Sequence, residues 1–130
     1  MRSDMARPLI GIVDDEKSVR DSISSLVRSA GYRSAVFASA EQFLNADHQP
    51  VANCHVLILD VTMPGLSGVE LQRRLSDEKR SIPIIFVTGQ SDDAVRARAL
   101  AQGALLFLAK PFNDDALLGA ISSALGASLH

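Results

Sequence analysis

Residues 56–65, VLILDVTMPG, place a carboxylate at the end of an apolar run and follow it with a Pro-Gly turn. A short apolar run bounded by a turn signal is typical of a strand that is buried on both faces. Asp60 then lies where the strand ends, and in open α/β sheets this carboxyl edge is where ligands bind. Because a carboxylate beside so apolar a strand is poorly hydrated, it needs a cation or other polar partners nearby.

On either side of this strand, apolar runs alternate with segments of helical periodicity. Strands are predicted at residues 8–13, 33–37, 56–60, 82–87 and 104–108. Helices are predicted at residues 16–30, from 39 onward, from 67 to near 77–79, at 92–102 and from 113 to 125. Such alternation favours parallel strands joined by right-handed crossovers, with helices on both faces. The chain is therefore predicted to form one doubly wound α/β domain, a five-stranded parallel sheet with five helices in the (βα)5 flavodoxin-like order.

Length and composition limit the class of protein. The chain has 130 residues, 47% of them hydrophobic and 22% charged, with a net charge of −2. This balance is typical of one globular domain, and it lacks the basic footprint of a nucleic-acid-binding domain. We predict a flexible tail over residues 1–7, the folded domain over residues 8–126 and a second tail over residues 127–130.

The N-terminal residues, the length of the apolar runs and the single cysteine indicate the cellular compartment. The N-terminus has no apolar core of the kind found in signal peptides, and no apolar run approaches the ~20 residues that a membrane span needs. Cys54 is the only cysteine, so an internal disulfide is impossible. Its place before an apolar strand is typical of a small buried hydrophobic residue. We therefore expect a cytoplasmic protein.

Polar residues follow four of the predicted strands. Asp14 and Asp15 follow the first strand, Asp60 ends the third, Thr88 follows the fourth and Lys110 follows the fifth. In a parallel sheet all these ends lie along one edge, so the side chains are expected close together. Taken singly, each residue is more simply explained as a helix cap, a turn residue or a surface charge. Their recurrence at the same end of successive strands indicates a site.

The chemistry of this set points to a metal and a phosphoryl group. Clustered carboxylates repel one another unless a cation lies among them, and oxygen ligands at this density suit Mg²⁺. A carboxylate beside Mg²⁺, a lysine and a threonine can act as a nucleophile toward a phosphoryl group and form an aspartyl phosphate. The lysine and the metal would neutralise charge on the transferring oxygens.

The sequence resembles the receiver domain of bacterial two-component response regulators, the CheY-like domains. Four segments carry the resemblance: residues 13–16 (VDDE), 60–68 (DVTMPGLSG), 87–89 (VTG) and 109–112 (AKPF). They occur in the family's order and at the predicted strand ends. The Thr-Gly pair of the third segment, together with Phe107, is most like the FixJ-type branch. The resemblance implies the fold predicted above.

The resemblance also implies roles for individual residues. Asp60 would be the phosphoacceptor. Asp15 would bind Mg²⁺ directly and Asp14 largely through water, together with Asp60 and the backbone carbonyl of Thr62. No organic cofactor is implied.

Three further residues would serve the switch. Thr88 would supply the switch hydroxyl, Lys110 would bind the phosphoryl group, and Phe107 would be the aromatic side chain that changes rotamer. Many receivers carry tyrosine at the position of Phe107, so a hydrogen bond from that ring is absent here. The helix over residues 92–102 has an apolar face made mostly of alanine. It would shift on phosphorylation, and its outer face, with the fifth strand and the last helix, would contact the output.

Family membership further implies partners. A histidine kinase would donate the phosphoryl group, and an output domain or downstream protein that controls transcription would respond to it. A homodimer formed on phosphorylation is among the expected assemblies, whereas direct contact with nucleic acid or membrane is not. Such a domain is not an enzyme with a separate substrate, but it catalyses its own phosphorylation and dephosphorylation. Because the 130 residues contain no helix-turn-helix, we expect either a stand-alone or an excised receiver.

Two other classes of protein fit parts of the pattern. A haloacid-dehalogenase-type phosphatase also uses a strand-end aspartate with Mg²⁺, but there the nucleophile precedes the acidic metal pair. A flavodoxin-like carrier would need a phosphate loop after the first strand, where residues 14–16 (DDE) would repel a phosphate. A dinucleotide-binding domain is excluded more firmly, because no G-x-G-x-x-G follows that strand.

Overall fold

The computed structural model describes residues 7–45, 54–60, 68–77, 82–88, 97, 100–101, 106–109 and 113–128. Its strands are β1 (Leu9–Val13), β2 (Arg33–Phe37), β3 (Val56–Asp60), β4 (Ile84–Thr88) and β5 (Leu106–Ala109). The helices with defined bounds are α1 (Lys17–Ser29), α2 (Ala40–Asn45), α3 (Gly68–Asp77) and α4 (Asp114–Ser128). None of these helices is long and apolar enough to cross a membrane.

The strands form one parallel sheet in the order β2-β1-β3-β4-β5. This is the flavodoxin-like order. Strand β2 lies on one side of β1, and β3, β4 and β5 follow on the other side, so the strand order switches between β1 and β3. Every residue of β1 and β3 is buried, as expected for central strands with helices on both faces. The parallel α/β prediction is confirmed.

Alternate side chains of the strands point to opposite faces of the sheet and belong to two separate core layers. One layer packs α2 and α3 against the sheet and includes Leu9, Val13 and Phe86. The other packs α1 and α4 against the opposite face and includes Ile10, Ile12 and Val87. Each fully buried aliphatic or aromatic side chain stabilises the fold by about 1.5–3 kcal/mol. This two-sided burial fixes the strand ends that carry the polar residues.

Helix α1 lies within the predicted range of residues 16–30, and a glycine follows its C-cap, Ala30. Ile23 and Val27 are buried. Gly31 has a φ of 95°, a left-handed conformation that favours glycine. Its N–H donates to the Arg28 carbonyl (3.0 Å), and the next N–H, that of Tyr32, donates to the Val27 carbonyl (3.1 Å). These two bonds form a Schellman motif that satisfies the last carbonyls of the helix.

Side-chain caps are present at two of the predicted helix starts, residues 39 and 113. The Gln42 N–H donates to Ser39 Oγ (3.1 Å), and Gln42 Oε1 accepts the N–H of Ala38 (2.9 Å). In an ideal capping box the returning glutamine would take the N–H of the capping serine, so this box is displaced by one residue. The Ala116 N–H donates to Asn113 Oδ1 (2.6 Å), as predicted for the start of α4.

Some boundaries differ from the predictions or lie outside the described residues. Helix α4 runs to Ser128, beyond its predicted end at residue 125, because a glycine such as Gly126 disfavours a helix by only about 1 kcal/mol. Strand β5 includes Ala109, which pairs with Thr88. Of the helix predicted over residues 92–102, only positions 97, 100 and 101 are described, and they are helical and exposed.

Candidate functional site

Two buried carboxylates meet at the carboxyl edge of the central strands. Val13 pairs with Leu59 in the β1–β3 register, so Asp14 and Asp60 follow at the same level of the sheet. Asp14 is 1% exposed and Asp60 is 3% exposed. With the exposed Asp15 they form a cluster in which one carboxylate oxygen of each residue lies within 4.8 Å of the others. The sequence prediction that these three aspartates meet is confirmed.

Hydrogen bonds to neighbouring elements hold Asp14 in place. Its Oδ1 accepts the N–H of Glu16 (2.9 Å), and its own N–H donates to the Phe37 carbonyl (3.2 Å). Its carbonyl accepts a hydrogen bond from Arg20 Nη1 (2.8 Å). The turn after β1 is thereby fixed to both β2 and α1, which limits how far the Asp14 carboxylate can move.

Arg20 was not singled out by the sequence analysis. It lies in the first turns of α1, and its guanidinium reaches back to the backbone of the acidic turn. The sequence signal was that Arg20 lies four residues, about one helical turn, after the acidic residues 14–16. Side chains of a helix tilt toward its N-terminus, which brings the Arg20 guanidinium back toward the end of β1. The pattern alone did not distinguish this contact from a solvated helix face.

The cluster has the chemistry of a cation site. Two unit charges 4 Å apart repel by about 1 kcal/mol in water, and by about 4 kcal/mol at the effective dielectric near a protein surface. Two of these carboxylates are buried, so water screens them poorly. An all-oxygen donor set of carboxylates suits a hard divalent cation such as Mg²⁺. The residues present therefore fit the metal that the sequence predicts.

The remaining predicted site residues are described only in part. Thr88 is the last residue of β4. Because Asp60 pairs with Val87, the backbone of Thr88 lies one residue further along the strand direction than Asp60. Phe107 pairs with Phe86 inside the sheet. Thr62 and Lys110 lie outside the described residues. The roles predicted for these four residues stay predictions.

Residues 10–122 match the family described as the response regulator receiver domain. This chain therefore belongs to that family, the receiver domains of two-component response regulators, and membership implies phosphorylation-dependent signalling. The match covers the acidic turn, the strand that ends in Asp60 and most of α4.

Known relatives place the chain near the FixJ branch. The response regulator protein TmoT of Ectopseudomonas mendocina is 47% identical over 117 residues, which make up 90% of this chain and 52% of TmoT. The transcriptional regulatory protein FixJ of Bradyrhizobium diazoefficiens is 39% identical over 116 residues, 89% of this chain and 56% of FixJ. The crystal structure of FixJ-N is similar with a TM-score of 0.83 and 38% identity, covering 100% of this chain and 97% of that one.

These similarities confirm the predicted family and its FixJ-like character. The chain spans about half the length of the curated relatives that it matches. The relatives include proteins named as transcriptional regulators.

Proposed function

We propose that this domain accepts a phosphoryl group from a histidine kinase on Asp60, with Mg²⁺ bound at the same edge of the sheet. The observation that carries the proposal is the cluster of Asp14, Asp15 and Asp60, whose carboxylate oxygens lie within 4.8 Å of one another. Family membership supports the same assignment.

Each aspartate has a distinct part in the proposed reaction. A carboxylate oxygen of Asp60 attacks phosphorus and forms an acyl phosphate, while the bond to the donor's imidazole nitrogen breaks and its electron pair stays on that nitrogen. Asp15 and Asp14 would hold the metal, directly and largely through water, with the Thr62 carbonyl as a further ligand. Bound Mg²⁺ would supply charge neutralisation for the transferring oxygens. The same residues would support the domain's own dephosphorylation.

The switch would use residues along the β4 and β5 edge. Thr88 would donate a hydrogen bond to the phosphoryl group and Lys110 would pair with it. Phe107 would then change rotamer, and the helix over residues 92–102 would move with it. Leu100, an apolar residue of that segment, is 39% solvent-accessible, which supports a contact of the segment with the output. The output face would comprise that segment, β5 and α4.

Family membership also supports a proposal about partners and cellular setting. A kinase partner and an output domain or downstream protein are proposed, with transcription as the controlled process, since relatives are named as transcriptional regulators. We further propose a cytoplasmic domain from residue 8 to the end of α4 at Ser128, with short tails on either side and a fifth helix between β4 and β5. It would dimerise on phosphorylation and make no direct contact with DNA.

Intact-mass spectrometry after incubation with acetyl phosphate and Mg²⁺ tests the proposed function. The native protein should gain the mass of one phosphoryl group, and the gain should require Mg²⁺. Asp60→Asn should abolish it, because the neutral amide is a much weaker nucleophile than a carboxylate and cannot form the acyl phosphate. A gain that survives Asp60→Asn would place the acceptor elsewhere. A Mg²⁺-dependent turnover of an external phosphate ester would instead support a phosphatase.

A further inference from the structure

Gly68 begins helix α3 and lies buried against the end of β3. A Cβ atom added at Gly68 would overlap the backbone carbonyl oxygen of Asp60. It would also lie 3.0 Å from the carbonyl carbon of Asp60 and 3.2 Å from Leu59 Cγ. A backbone carbonyl cannot rotate out of the way as a flexible side chain can. Any side chain at position 68 therefore requires either α3 or the end of β3 to move.

The other described glycines differ in this respect. An added Cβ at Gly119 or Gly126, both within α4, would meet no atom within 4 Å. At Gly11 the nearest obstacle is a side chain, that of Cys54. Among the glycines in the described residues, Gly68 is the one whose missing side chain makes room for backbone, and that backbone belongs to the proposed phosphoacceptor.

Strand β3 has little freedom to absorb a displacement. It is hydrogen-bonded to β1 on one side and β4 on the other, and all its residues are buried. A push on the Asp60 carbonyl would therefore fall on the last residue of the strand, which carries the carboxylate. Mg²⁺ demands nearly ideal octahedral geometry with short metal–oxygen distances, so a shift of a few tenths of an ångström is enough to weaken binding.

We propose that Gly68 is a positioning residue for Asp60, because its lack of a side chain lets α3 pack at the distance that keeps the Asp60 carboxylate within the Asp14–Asp15 cluster. This inference rests on the proposed function of Asp60. Gly68 acts through the backbone of Asp60 and contacts neither metal nor phosphoryl group itself.

The test compares Gly68→Ala with two controls. Gly119→Ala adds the same methyl group to a helix in open space, and Leu75→Ala loosens the buried face of α3 two turns away from Gly68. Mg²⁺ affinity is measured by calorimetry and the acetyl phosphate reaction by intact mass. Both are measured at a temperature where each variant is fully folded by circular dichroism. The backbone ¹³C′ resonance of Asp60 is recorded for each variant without Mg²⁺.

Gly68→Ala should lower Mg²⁺ affinity by about 10–100-fold, the usual effect of disturbing a residue that supports a metal ligand. It should also slow phosphorylation and shift the Asp60 ¹³C′ resonance. Leu75→Ala should lower the melting temperature yet keep the native Mg²⁺ affinity and the native Asp60 resonance, which separates positioning from stability. Gly119→Ala should leave the Mg²⁺ affinity, the rate of phosphorylation and the Asp60 ¹³C′ resonance unchanged.

If Gly68→Ala folds too weakly, it is combined with Gly119→Ala, which raises the folded fraction through helix propensity. The native protein gives a second measurement, since Mg²⁺ should shift the Gly68 amide resonance more than those of Gly119 and Gly126. Native Mg²⁺ affinity in folded Gly68→Ala, or a Gly68 amide that does not respond to Mg²⁺, would overturn the inference. If the native protein neither binds Mg²⁺ nor gains a phosphoryl group, the proposed function fails. The Asp60 ¹³C′ shift in Gly68→Ala then decides alone whether Gly68 positions Asp60.

Discussion

At the scale of single residues, the Cys54 side chain packs in the space next to Gly11 that any larger residue would fill. An added Cβ at Gly11 would lie 2.6 Å from Cys54 Sγ and 3.1 Å from Leu57 Cδ1. Cys54 is only 7% exposed, so its thiol occupies the space that the missing side chain of Gly11 leaves in the middle of β1. The cysteine therefore acts here as a small packing residue, as its position in the sequence predicts.

Gly11→Ala should lower the free energy of unfolding by about 1–3 kcal/mol, because the new methyl group overpacks a filled core. The double variant Gly11→Ala, Cys54→Ala should lose less than the sum of the two single variants, since the second change removes the obstacle met by the first. We expect a coupling energy of about 0.5–3 kcal/mol, measured by urea denaturation of all four proteins. Strictly additive losses would show that the thiol is not the obstacle.

At the scale of elements, the helices begin in two different ways. Helices α2 and α4 start with side-chain caps, from Ser39 and Asn113. The N-cap of α1, Glu16, makes no side-chain cap hydrogen bond. Its N–H donates instead to the carboxylate of Asp14 (2.9 Å). The start of α1 is thus tied to the acidic turn that carries Asp14 and Asp15, which couples the orientation of this helix to the candidate site.

Asn113→Ala should lower the free energy of unfolding by about 1 kcal/mol, since the first turn of α4 loses its side-chain acceptor. Asn113→Asp should restore most of that loss, because a carboxylate accepts the same hydrogen bond and suits the positive end of the helix. Thermal and urea unfolding of the three proteins measure the effect, with the exposed Ser123→Ala as a surface control. Equal stability of Asn113→Ala and the native protein would mean that the cap is replaced by water at no cost.

At the scale of the whole molecule, folding brings together charges that are far apart in the chain. Asp14 and Asp60 lie 46 residues apart in sequence, yet their carboxylate oxygens lie within 4.8 Å in the fold. The unfolded chain holds no such cluster. A cation that binds the cluster therefore binds the folded state and stabilises it by mass action.

Mg²⁺ at ten times its dissociation constant should raise the free energy of unfolding of the native protein by ~1.4 kcal/mol. Asp60→Asn should lose most of this gain, because it removes one of the three carboxylates. Thermal unfolding in Mg²⁺ is compared with unfolding in sodium chloride of matched ionic strength, which removes the general screening effect of salt. An equal gain in Asp60→Asn would show that Mg²⁺ binds elsewhere.

Local patterns were sufficient to predict most elements and the acidic part of the site. Apolar runs placed the central strands, because a strand buried on both faces consists of nearly continuous apolar residues. The end of α1, within one residue of the predicted residue 30, and the start of α4 after Asn113 were predicted because helix ends depend on neighbouring residues in the chain. The aspartates could be assigned to one edge because parallel strands all end on the same side of a sheet.

Contacts that depend on the distance between two elements could not be predicted from sequence patterns. The hydrogen bond from Arg20 to the Asp14 carbonyl, the contact of Gly68 with the backbone of Asp60 and the fit of Cys54 over Gly11 arise only when separate elements pack. In the sequence, Gly68 is one small residue of a helix start, and nothing nearby indicates which carbonyl it will face. Such contacts depend on how closely a helix approaches a strand. That approach is set by the summed packing of the two core layers, which no single segment encodes.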